Sequence, residues 1–292
     1  MKRLSILFVI ILLLSGCAVD KADAPIAATT LPVYELTTRL CQGTGLGVTR
    51  LVTENVSCLH DYTLKVEQMR AIEGAELLVI SGAGLEDFLE DALQGVETVI
   101  DASAGLTLLE GEHAHVHEHA HSHVHEEDPH IWLSPKNAKS MAENICLGLS
   151  AQYPQHADLF RANLQQLLYD LDALQKYGDE TLKDLSCREL ITFHDGFSYF
   201  AESFHLTVLK AVEEESGSEA SAAELVELIH LVDDHDLPAI FTETNGPESA
   251  AGVVSRETGA KKYCLDMVMS GDSYFEAMYH NIDTIKEALQ CG

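Results

Sequence analysis

Residues 77–81, Leu77-Leu78-Val79-Ile80-Ser81, form an apolar run closed by one small polar residue. A run that short, with no polar alternation, reads as a strand buried on both faces, as in parallel sheets covered by helices. Outward from it the chain alternates. Before it, Ile26 to Val33 reads as extended, Tyr34 to Cys41 as helical, Val48 to Val52 as extended and Leu64 to Ile72 as helical. After it, Leu85 to Leu93 and Val96 to Asp101 repeat the helix–strand order. Strands alternating with helices imply a largely parallel sheet. Gly43, Gly45 and Gly47 lack the spacing and strand-to-helix context of a dinucleotide fingerprint and read as turn glycines.

Past Pro135 the pattern becomes helical. Asn137 to Leu149 forms one helix, and Tyr153-Pro154 interrupts it, because the residue before proline avoids the helical region. From His156 a second helix carries Leu159, Leu164, Leu167, Leu168, Leu171, Leu174 and Tyr177 at helical spacing. It could reach about thirty residues, roughly 45 Å at 1.5 Å per residue. The alternation then resumes, with strands at Leu190–Phe193, Thr207–Val212, Ala239–Thr242 and Lys262–Leu265. Helices fall at Phe197–Phe204, Ala222–Asp234, Pro247–Thr258 and Ser273–Leu289. The expected fold is α/β: two lobes with mostly parallel sheets flanked by helices, joined by a long rigid helix. The lobes are placed at residues 25–150 and 186–292, with the connecting helix at 155–185.

Lys2 and Arg3 precede a mostly apolar stretch from Leu4 to Leu14, too short to span a bilayer, which reads as a cleaved export signal over residues 1–16. Leu14-Ser15-Gly16-Cys17 resembles the bacterial lipoprotein signal, which makes Cys17 the lipid-modified first residue of the mature chain, with 17–24 as an anchor linker. Diacyl attachment there would supply the second chain that stable anchoring needs.

The 47 acidic against 18 basic residues, a formal charge of −29, argue against a nucleic-acid partner, which needs clustered Lys and Arg. Beyond Cys17 stand Cys41, Cys58, Cys146, Cys187, Cys264 and Cys291, without any CxxC spacing. An even number permits disulfides in an exported protein, and buried thiols are the competing reading. Cys58, two residues before His60, is a structural residue rather than a soft ligand on this reading.

The densest chemical signal is a loop over 112–127 in which His113, His115, His117, His119, His121, His123 and His125 occupy every second position. Low-complexity His tracts bind metals, and the alternative is a solvated acidic loop. Ordering such a loop around an ion costs entropy, so it suits weak, auxiliary collection of metal better than a tight site. Open α/β sheets place ligand sites beyond strand C-termini. Metal-competent side chains stand there at His60-Asp61, at His194-Asp195 and at Asp266, with Glu243 at another strand end, while His130 follows the tract. His156, His205, His230, His235 and His280 lie on helices or helix ends and read as ordinary surface residues.

These residues resemble a family, the zinc and manganese solute-binding lipoproteins of ABC importers, the ZnuA/TroA-like group. The resemblance rests on Thr30-Leu31-Pro32-Val33-Tyr34, His60-Asp61-Tyr62, Asp128-Pro129-His130-Ile131-Trp132-Leu133, Phe193-His194-Asp195 and Gly271-Asp272-Ser273-Tyr274, and covers the whole mature chain. Leu59 departs from the proline usual before the family's first histidine. The resemblance implies that His60, His130 and His194 each give an imidazole nitrogen to one ion in the interlobe cleft. Asp266 matches the family's carboxylate position, with Glu243 in reserve. Three histidines favour Zn2+ over Mn2+, the alternative cargo. The implied protein is not an enzyme: it is an extracytoplasmic, lipid-anchored monomer that hands zinc to an ABC permease and its ATPase. A zinc-dependent hydrolase is the competing class, since three ligands plus water is a catalytic pattern, but no His-Glu-x-x-His helix is present.

Overall fold

The structure is a computed structural model that describes residues 24–54, 56, 59, 62–93, 95–111, 127–212, 220–244, 249–269 and 271–290. The first sheet contains β1 (Ile26–Ala28), β2 (Val48–Arg50), β3 (Leu77–Ile80) and β4 (Val99–Asp101), in the spatial order β2-β1-β3-β4. All its pairings are parallel, with Ile26 opposite both Val48 and Leu77. Its helices are α1 (Leu31–Leu40), α2 (Val66–Gly74) and α3 (Glu90–Leu93). Then come α4 (Pro135–Gln152) and α5 (Ala157–Leu182). The second sheet repeats the plan: β5 (Glu189–Thr192), β6 (Thr207–Ala211), β7 (Ala239–Glu243) and β8 (Lys261–Leu265) lie in the order β6-β5-β7-β8, again all parallel. Around it stand α6 (Ser198–Ser203), α7 (Ala222–Asp234), α8 (Ser249–Thr258) and α9 (Tyr274–Leu289). The α/β expectation holds: two parallel four-stranded sheets with a long helix between them.

Individual elements depart from it. The extended reading of Ile26 to Val33 is cut short at Ala28, and α1 begins at Leu31. Two contacts turn the chain there: the Thr29 hydroxyl donates to Glu86 Oε1 at 2.6 Å, and Thr30 Oγ1 lies 2.9 Å from Ser81 Oγ. Pro32 in the first turn, where a missing N–H costs nothing, then starts the helix. On α5 the buried face is Phe160, Leu167, Leu171, Leu174, Gly178 and Leu182, whereas Leu159 and Tyr177 are exposed. Apolar residues on both flanks of the stripe had obscured its centre. Gly178 is required there, because a Cβ would stand 2.1 Å from Phe204 of the neighbouring α6 end.

The lobes are joined by more than α5. Trp132, fully buried just before α4, donates from Nε1 to the Met267 carbonyl at 2.8 Å, and the Tyr274 hydroxyl donates to the Trp132 carbonyl at 2.9 Å. Arg50 donates to the Gly271 carbonyl at 2.7 Å. Cys41, Cys146, Cys187 and Cys264 are thiols, so no disulfide forms among the described cysteines. Burial pushes Cys41 up to about 12, which makes it inert as a nucleophile. Cys17, Cys58 and Cys291 lie outside the described residues. Among the described helices none is long and apolar enough to cross a membrane.

Candidate metal centre

In a sheet of order β2-β1-β3-β4, successive connections leave β1 on opposite sides, which opens a crevice between β1 and β3 at their carboxyl ends. In the first lobe that crevice is plugged. Glu86, 4% exposed, accepts from Thr29 Oγ1, from Ser81 N at 2.7 Å and from Gly82 N at 2.9 Å. Burial raises its carboxyl to about 7 against these hydrogen bonds. The matching crevice of the second lobe lies between β5 and β7, and there the chemistry differs. His194 follows β5, and Glu243 ends β7. His194 Nδ1 is 3.5 Å from Glu243 Oε2, with both side chains nearly excluded from solvent.

The first lobe contributes His130 to the same place. His130 Nε2 lies 3.4 Å from His194 Nε2, and the rings meet edge to face with centroids 5.3 Å apart. Behind His130, Asp128 Oδ1 takes the Nδ1 proton at 2.8 Å and the backbone N–H at 2.9 Å. A carboxylate only accepts, so it assigns the proton to Nδ1 and turns the Nε2 lone pair toward His194. Glu243 lies on the Nδ1 side of His194 too, at the longer distance of 3.5 Å. The spacing has a chemical meaning: two nitrogens bound to one zinc at 2.0–2.1 Å across a tetrahedral angle stand about 3.3–3.4 Å apart, whereas a right angle needs about 2.9 Å. The 3.4 Å between the two Nε2 atoms matches the tetrahedral value.

A phenol ties the two halves of this pair together. Tyr199, five residues after His194 and fully buried, donates to the Asp128 carbonyl at 3.1 Å and accepts from Leu109 N at 2.8 Å. Burial pushes its hydroxyl up to about 12, so it stays protonated. Glu110 and Glu127 form an antiparallel bridge beside it.

Of the residues marked from sequence, His130, His194 and Glu243 come together, with Glu243 on the Nδ1 side of His194 rather than facing the shared space. Asp266 is held in its own turn: its Oδ1 accepts from Val268 N at 2.6 Å, and Asn281 pins its backbone at 2.8 Å and 2.7 Å. Val268 has φ of 60°, a strained value for a β-branched residue. Among the described residues no three His, Cys, Asp or Glu side chains stand close enough to hold an ion. His60 and the histidines from His113 to His125 lie outside the described residues. Among the described residues flanking His60 in sequence, Glu54 accepts from Tyr62 Oη at 2.6 Å and pairs with Lys65. These contacts, Lys65 first, lower Glu54 to about 2. Sequence reasoning gave no role to Asp128, Tyr199 or Met267. The Asp-x-His spacing could have revealed the first, and nothing local marks the other two.

The chain as a whole is similar to known zinc-binding proteins. The high-affinity zinc uptake system protein ZnuA of Bacillus subtilis (strain 168) is 30% identical over 290 residues, covering 94% of this chain and 90% of its own. A crystal structure of ZnuA superposes with a TM-score of 0.79 at 28% identity, covering 91% of this chain and 100% of that one. The Zn(II)-bound ZnuA-like domain of Streptococcus pneumoniae AdcA gives a TM-score of 0.77 at 26% identity, covering 92% and 100%. A family model described as the periplasmic zinc-uptake complex component A matches residues 26–288, and the chain accordingly belongs to the ZnuA family.

Proposed function

We propose that this protein binds Zn2+ outside the cytoplasm and delivers it to an ABC permease and its ATPase, without turning over a substrate. The observation that carries the reading is the pair of Nε2 atoms 3.4 Å apart, each on a ring backed by a buried carboxylate. His60, His130 and His194 hold the ion. Asp266, on the turn after β8, supplies the fourth position. Glu243 orients His194 as Asp128 orients His130. The tract from His113 to His125 gathers zinc weakly, and Cys17 carries the lipid anchor.

Metal analysis of the purified chain, followed by zinc and manganese competition, tests this reading. One zinc per chain is expected at the tight site, with manganese displaced. His130→Ala or His194→Ala should weaken binding by orders of magnitude, while deleting residues 113–125 leaves the tight site in place. Loss of tight binding on that deletion, with no effect of His130→Ala, would refute the assignment.

A further inference from the structure

Gly196 stands two residues after His194, and its φ lies outside the left-handed region, so backbone freedom does not explain a glycine there. Its surroundings do. A Cβ at Gly196 would be 2.5 Å from Met267 Cε, 2.9 Å from His194 Cδ2 and 3.1 Å from His130 Cε1. Those two ring carbons are each bonded to Nε2. The edges that carry the facing nitrogens therefore border the bare α-carbon of Gly196, and so does the Met267 methyl.

Neither ring can swing aside without losing a contact. His130 is held at its far nitrogen by Asp128 at 2.8 Å, and His194 stands 3.5 Å from Glu243. Met267 is 3% exposed, and its backbone is fixed by the Trp132 indole. An added methyl at position 196 must widen the imidazole pair or expel the thioether. The first change favours a larger ion with wider coordination; the second admits water to the coordination sphere.

We propose that the missing Cβ of Gly196 and the Met267 side chain together set the ion selectivity of the site. They form an apolar wall against both Nε2 edges and hold the tetrahedral spacing, so that a four-coordinate ion is preferred over one that keeps water in a six-coordinate shell. This rests on His130 and His194 being ligands.

The test uses the mature chain as wild type, Gly196→Ala and Met267→Ala, with Zn2+ and Mn2+ competition and Co2+ as a spectroscopic probe. The wild type should give the intense visible bands of four-coordinate Co2+. Each variant should lower the preference for Zn2+ over Mn2+ by about tenfold or more, the scale of a misplaced supporting group, and weaken those bands. A preference and a spectrum within twofold of wild type in either folded variant overturn the joint role. Should Gly196→Ala fail to fold, Met267→Ala, which only removes atoms, decides alone. The parallel His130→Ala and His194→Ala titrations separate the two levels: unchanged zinc affinity there defeats the ligand assignment itself, whereas lost affinity beside an unaltered Met267→Ala defeats only the selectivity inference.

Discussion

Asp128→Asn isolates what the buried carboxylate does for zinc. Asparagine keeps the shape and one acceptor oxygen, so the contacts to His130 N at 2.9 Å and Nδ1 at 2.8 Å, and with them the ring orientation, can survive. The negative charge that makes the imidazole a stronger donor is lost. Loss of such a supporting group lowers metal affinity by about 10–100-fold, or about 1.4–2.8 kcal/mol. A second effect is separable. Asp128 Oδ2 is buried with no hydrogen-bond partner among the described residues, and the amide NH2 placed there adds donors without acceptors, at a cost of about 1–3 kcal/mol in folding stability. Zinc Kd measured by competition with a chromophoric chelator near neutral pH reads the first effect, and urea unfolding of the metal-free chain reads the second. A zinc Kd within twofold of wild type would refute the claim that Asp128 acts on the ion through His130. Both proteins should bind zinc more weakly on acidification, because protons compete for the imidazole lone pairs.

Tyr199→Phe keeps the packed ring but strands Leu109 N–H and the Asp128 carbonyl. Metal-free stability should fall by about 1–3 kcal/mol and zinc affinity several-fold, checked by unfolding and chelator competition; unchanged affinity would show that the phenol does not position His130. Glu86 has a folded-state carboxyl raised to about 7, so its contribution to stability is present below the ordinary carboxylate range and is lost as pH rises through about 7. Between about pH 4.5 and 8, wild type should lose up to about 3 kcal/mol relative to Glu86→Gln, read as the difference in their unfolding free energies; parallel pH profiles would contradict the assignment.

The alternation of strand and helix was legible because it depends on spacing within a few residues. Leu77 to Ser81 and the strands near Leu190 and Ala239 needed no tertiary knowledge, and with them came the strand ends that carry His194 and Glu243. The start of α1 at Leu31 was not legible, since it depends on Thr29 and Thr30 reaching Glu86 and Ser81 across more than fifty residues of chain. The buried stripe of α5 depended on where Phe204 meets Gly178.

By itself, the sequence determined the α/β class, the residue types able to bind a metal and the family resemblance, all of which reside in local pattern and composition. Only the tertiary structure decided that His130 and His194 face each other through Nε2, that Glu243 stands behind a ring, and that Gly196 lies against both rings with the Met267 methyl packed on it. These are distances between residues up to 71 positions apart, set by how two sheets and the helices between them pack, and no local spacing along the chain encodes such a distance.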